Sequence, residues 1–121
     1  EKDFEAALDW IEILLQIAPQ NPEYLLIKAN LLYKNQNFLE ALEVFDQLMG
    51  DLKYYTEALI GKGRVYLKLC RCEEALESFQ KAYEHDPASI KAQFYFAGDQ
   101  ILQKEFIEQI IERTMDPEDL M

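Results

Sequence analysis

Apolar positions along the chain recur at helical spacing, and the helical segments themselves recur. Segment 3–18 carries Phe4, Ala7, Leu8, Ile11, Leu14 and Leu15, a three-four spacing that predicts one helix with a wide apolar stripe. Asp3 is its expected N-cap, and the Pro-Gln-Asn-Pro run from Pro19 ends it. Pro22 suits the first turn of a second helix reaching about Lys34 through Leu25, Ala29 and Leu32. After an Asn35-Gln36-Asn37 turn, a third helix runs from Phe38 to about Met49, closed by Gly50-Asp51. A fourth starts near Lys53, carries Leu59, Gly63 and Tyr66, and ends around Leu69. Cys70-Arg71-Cys72 then takes the turn position, followed by a fifth helix, Glu73 to His85, stopped at Asp86-Pro87. A sixth is expected over about Ser89–Gln103 and a seventh over Glu105–Thr114, with 115–121 as a frayed tail.

These helices repeat one another. Ala7, Ala41 and Ala75 are spaced by 34 residues, Leu8, Leu42 and Leu76 keep the same interval, and so do Ile11, Phe45 and Phe79. A period of that length means a single helix-turn-helix unit stacked on copies of itself. No strand signal and no Gly/Ser linker interrupts the series. The prediction is an all-α array of antiparallel helix pairs in one domain, about seven helices in all.

The stretch Leu59 to Pro87 resembles a tetratricopeptide repeat. Gly63 and Tyr66 stand three apart on the first helix, Ala75, Phe79 and Ala82 on the second, and Pro87 at the end. Leu25 to Met49 is similar, with Ala29, Leu32, Phe38, Ala41, Phe45 and Leu48 in register. The resemblance divides the chain into a half repeat (3–19), two repeats (22–53 and 56–87), a degenerate capping helix pair (88–114) and the tail 115–121. Lys28 and Lys62 depart from it, standing where the family usually has leucine, and Cys72 replaces the aromatic that Phe38 and Phe106 supply beside the turn. A small residue on each first helix (Ala29, Gly63, Ala97) lets the second helix approach closely.

Composition narrows the function. Half the residues are hydrophobic and the net charge is −11, the reverse of a nucleic-acid footprint. No apolar run approaches the length of a membrane span. Cys70 and Cys72 are too close in sequence for a relaxed disulfide, and with one histidine in the chain they make no zinc set; reduced, partly buried thiols of a cytoplasmic protein are expected. His85, alone at a helix end, reads as a solvated cation facing the helix dipole. The acidic runs Glu40-Glu43-Asp46 and Glu73-Glu74-Glu77 read as solvated helix faces. Gly61-Lys62-Gly63 lacks the strand and the Ser/Thr of a phosphate loop. No catalytic constellation, metal site or cofactor site is expected.

The resemblance implies that the first helix of each pair lines a concave surface. Taking residues 34 apart together, the non-core side of these helices gives the rows Leu26, Ile60, Phe94; Ile27, Gly61, Tyr95; Asn30, Arg64, Gly98; and Lys34, Lys68, Leu102. An apolar strip bordered by amides and cations in an otherwise acidic chain points to a peptide or helix of a partner protein with apolar anchors and carboxylates, gripped by Arg64 and Lys68. The family's clamp for acidic chaperone tails uses five positions; Asn30 and Lys91 match it, whereas Leu26, Gly61 and Tyr95 do not, so the resemblance implies an incomplete clamp. A second expectation is structural. The opening half repeat leaves Trp10, Ile13 and Ile17 without the helix that would cover them, as in a self-associating module or a segment of a longer array.

Overall fold

A computed structural model describes residues 2–114. The side chains of residues 2, 99, 102, 103, 105–107 and 109–114 lie outside the described residues, as do residue 1 and the expected tail 115–121. The aromatic wedge expected at Phe106 and the row end at Leu102 therefore fall outside what is described.

Six α-helices follow in chain order: α1 (Lys2–Ile17), α2 (Pro22–Lys34), α3 (Phe38–Leu48), α4 (Tyr55–Lys68), α5 (Cys72–His85) and α6 (Ile90–Thr114), with one 3₁₀ turn at Leu52–Tyr54 before α4. Each helix packs on the next, and α2, α4 and α6 also touch one another in sequence. The fold is thus the all-α stack of helix pairs that the period requires.

Local chemistry explains most boundaries. The Asn21 side chain accepts hydrogen bonds from the amides of Glu23 and Tyr24, with Pro22 opening α2. Ser89, two periods later, accepts from the Ala92 amide at the start of α6. The two intra-pair turns are copies of each other. The Asn37 amide donates to the Leu32 carbonyl and the Arg71 amide to the Tyr66 carbonyl, each at 2.8 Å. The residues between, Gln36 (φ 68°) and Cys70 (φ 61°), sit in the left-handed region although neither is glycine.

Three expectations are corrected. The sixth and seventh helices are a single helix, α6: nothing in Leu102-Gln103-Lys104-Glu105-Phe106 breaks a helix, since Gln, Lys and Glu favour it and no glycine, proline or capping pair intervenes. Asp3 is not the cap of α1 but lies within its first turn, where its charge still suits the helix dipole. Cys70 and Cys72 are exposed rather than partly buried, because the turn places them at the rim of the stack.

The core follows the register. Ala41 and Ala75 are fully buried, and the rings of Phe45 and Phe79 are covered to within about a hundredth of their surface. Gly63 is the close-approach residue: a Cβ there would stand 2.4 Å from a ring carbon of Phe79, so only glycine admits this ring. Gly61 does the same for Phe45 at 2.3 Å. The two lysines that occupy leucine positions are accommodated by ion pairs. Lys28 meets Glu12 and Lys62 meets Asp46, both at 2.6 Å, and each pair bridges one repeat to the next. The partners are again 34 apart (Glu12 and Asp46), so two lysines and two carboxylates at one interval were a signal available in the sequence.

Candidate functional site

Helices α2, α4 and α6 stand side by side and present the residues between their core stripes to one shared cavity of about 200 Å³. Its walls include Leu26, Asn30 and Lys34 from α2, Ile60 and Arg64 from α4, and Lys91 and Tyr95 from α6. The 34-residue rows had placed these side chains on one surface, except Lys91, which entered through the family's clamp positions, and the structure brings them together. Ile27, Lys68 and Phe94 belong to the same rows but lie outside the cavity wall. Ile27 and Phe94 are exposed (48% and 69%), and Lys68 is exposed at the end of α4. Ile60 forms part of the wall yet is a core residue at 4% exposure. It therefore offers an edge to the cavity, not a free side chain.

Gly61, named in its row, lines the wall as well, and two wall residues stood outside the candidate set: Tyr33 and Glu57. Tyr33 matters most, because the Arg64 guanidinium lies over its ring at 4.5 Å and faces the Tyr95 ring at 5.9 Å. Two aromatic faces thus hold the cation from either side, a favourable contact that leaves the edge of the guanidinium for hydrogen bonds. Tyr95 is itself fixed, stacked on Phe79 at 5.4 Å and 16°. Tyr33 is fixed edge-on against Phe38 at 5.9 Å. The hint in the sequence was an aromatic at each flank of the Arg64 row, Tyr33 and Tyr95, which a reading row by row does not combine.

Charge in the cavity is unevenly satisfied. Lys91 pairs with Glu57 at 3.7 Å across the rim, both side chains being substantially exposed. Such a pair contributes little and opens readily. Among the described residues, Arg64 and Lys34 face no carboxylate within salt-bridge distance, in a chain with 23 acidic and 12 basic residues. Gly61 lines the cavity as bare backbone where α2 has Ile27 and α6 has Tyr95 in register, and the space its side chain would take is filled by the Phe45 ring.

Elsewhere the chemistry is sparse. His85 ends α5 exposed, its ring edge-on to Tyr55 at 4.6 Å. No group of three His, Cys, Asp or Glu side chains among the described residues is placed to hold a metal ion. No described helix is long and apolar enough to cross a membrane.

Comparison with known proteins agrees with the architecture. The family model described as anaphase-promoting complex, cyclosome, subunit 3 matches residues 1–82. Among solved structures, the Sgt2 TPR domain from Aspergillus fumigatus superposes with a TM-score of 0.74 at 22% identity, over 96% of this chain and 76% of that one. The first TPR of Spaghetti (RPAP3), bound to the HSP90 peptide SRMEEVD, gives 0.72 at 18% identity, over 85% and 82%. The Arabidopsis OM64 TPR domain gives 0.70 at 19%, over 81% of each. At these identities the likeness is one of fold. No curated protein matches the sequence.

Proposed function

For a chain that belongs to the tetratricopeptide-type family of anaphase-promoting complex, cyclosome, subunit 3, we propose a non-enzymatic role: its α2–α4–α6 groove binds an acidic peptide segment of a partner protein. The observation that carries this reading is Arg64, clamped between Tyr33 and Tyr95 and facing no protein carboxylate among the described residues. A cation held in place by two rings has already lost its rotamer freedom, so a ligand carboxylate gains two parallel hydrogen bonds at low entropic cost. Lys34 and Asn30 stand on the same wall to take a second acidic or amide group. Leu26 and the exposed Ile27 offer apolar contact beside them.

Peptide binding by the structurally similar RPAP3 domain supports a peptide as the kind of partner. The ligand differs in detail. Of the five positions that grip an acidic chaperone tail in such domains, this chain keeps Asn30 and Lys91 and has Leu26, Gly61 and Tyr95 at the others. The anchor is moved to Arg64. A cytoplasmic setting suits the exposed thiols of Cys70 and Cys72, which an oxidising compartment would not leave reduced.

Panning a displayed random-peptide library on wild-type protein and on Arg64→Glu tests this. Wild type should enrich Asp and Glu, and the variant should lose or invert that preference. Loss of a charge-assisted contact of about 1.5–3 kcal/mol corresponds to roughly 10- to 100-fold in affinity. The reading fails if both proteins enrich the same sequences, or if wild type enriches none.

A further inference from the structure

We propose that the acidic group this groove selects is a phosphomonoester, the dianionic head of a phosphorylated side chain in the partner peptide. The inference deepens the peptide-binding reading and rests on it. The charged groups of the cavity wall fall at two ends. Glu57 and Arg64 are seven residues apart on α4, two helical turns or about 10 Å along the axis. At the Glu57 end the Lys91 ammonium pairs with the carboxylate at 3.7 Å, so the two charges offset each other. At the Arg64 end there is no such partner. Asn30 holds the register position of Arg64 on the neighbouring α2, and Lys34 follows one turn later on the same face. Among the described residues, no carboxylate pairs with Lys34 or Arg64. Two positive charges and an amide therefore border one opening, in a chain whose net charge is −11.

That pair of charges decides between two kinds of anion. An aspartate or glutamate carboxylate brings one charge and two oxygens; it fits the fork of Arg64 and leaves Lys34 without a counter-ion. A phosphomonoester brings close to two negative charges and three acceptor oxygens at neutral pH. Two oxygens meet the guanidinium fork, and the third is left for the Lys34 ammonium or the Asn30 amide. The Tyr33 and Tyr95 rings lie against the guanidinium at 4.5 and 5.9 Å, so a ligand meets it edge-on, the direction in which a phosphate accepts two parallel bonds. The acidic remainder of the chain repels a dianion more than a monoanion. Physiological salt screens that repulsion beyond about 8 Å, so the groups in contact decide.

Fluorescence anisotropy with three labelled degenerate peptide libraries reads the outcome. The libraries are identical except for a fixed central residue: phosphoserine, glutamate or serine. On wild type the phosphoserine library should bind roughly tenfold or more tighter than the glutamate library, the worth of one further charge-assisted contact. Glutamate should in turn bind tighter than serine. Lys34→Gln, at an exposed position, should shrink the phosphoserine advantage, and Arg64→Gln should weaken both acidic libraries, with far-ultraviolet circular dichroism unchanged in each. The advantage should grow from about pH 5.5 to about pH 7.5, as the phosphate loses its second proton near pH 6. The glutamate library controls for any titration of the wall groups Tyr33, Lys34, Glu57, Arg64, Lys91 and Tyr95. Phosphoserine binding no tighter than glutamate, with glutamate still above serine, overturns the phosphate and leaves the acidic-peptide reading standing. Equal binding of all three libraries removes both.

Discussion

Replacing Gly61 with alanine should destabilise the protein although alanine is the better helix former. In an exposed helix interior this exchange gains about 1 kcal/mol. At Gly61 the added methyl would stand 2.3 Å from two ring carbons of Phe45 and 2.8 Å from a third. Ordinary carbon contacts are about 3.5–4.0 Å, so the ring must retreat by more than about 1 Å. Phe45 is 1% exposed and set among Leu48, Ala58 and Val65, so it has nowhere to go without displacing them. Overpacking of this kind costs about 1–3 kcal/mol. The net loss is then about 1 kcal/mol.

The control is Gly98→Ala on α6, where the methyl would meet nothing within 4 Å. It should stabilise by about 0.5–1 kcal/mol. Propensity cancels between the two variants, so their difference isolates the packing cost at about 1–3 kcal/mol, or roughly 4–12 °C in Tm for a chain of this size. Urea titrations followed by circular dichroism at the helix band give both midpoints. Adding Phe45→Ile to Gly61→Ala should return part of the loss, because Ile27 and Ile11 already fill the equivalent pair of positions one repeat earlier. A Gly61→Ala variant that melts as high as Gly98→Ala would refute the argument.

Other variants test separate parts of the structure. Gln36→Gly and Cys70→Gly relieve a left-handed residue at a cost in unfolded-chain freedom, so each should raise stability by about 0.5–1 kcal/mol in the same titration. Lys62→Leu should be close to neutral, whereas Asp46→Ala should lose about 1 kcal/mol, because it leaves the 17%-exposed lysine side chain without its partner. Cys72→Phe restores at the second turn the aromatic that Phe38 supplies at the first; it should be neutral or stabilising by less than about 1 kcal/mol, and a large fall in Tm would show that the slot beside Leu67 is already filled.

Fold was readable in this chain because the same demand is made repeatedly. Ala41 and Ala75, Phe45 and Phe79, and Leu42 and Leu76 answer identical neighbours, and repetition separates that demand from chance. The reading failed where a local rule and the register disagreed. A third helix pair was expected after Pro87 because two had preceded it, yet Leu102–Phe106 contains nothing that turns a chain, and the backbone followed the local sequence. The reverse happened at Gln36 and Cys70. There local preference argues against a left-handed residue, and the packing of both helices of the pair imposes it all the same.

The site obeys a different logic, which is why less of it was visible. Repetition builds the wall, so Leu26, Asn30 and Arg64 could be found by counting in 34s. The row that differs most between repeats is Ile27 on α2, Gly61 on α4 and Tyr95 on α6. The glycine admits the Phe45 ring where a side chain would otherwise stand. The tyrosine, stacked on Phe79, stands up as the far wall and reaches Arg64. Tyr33 closes the near side, and its role depends on a 4.5 Å approach of its ring to the Arg64 guanidinium on another helix, which no spacing within one helix encodes. In a stack of similar units, a regular row can only make a uniform surface, so a place that holds one ligand group more tightly than its neighbours has to come from the residues that differ.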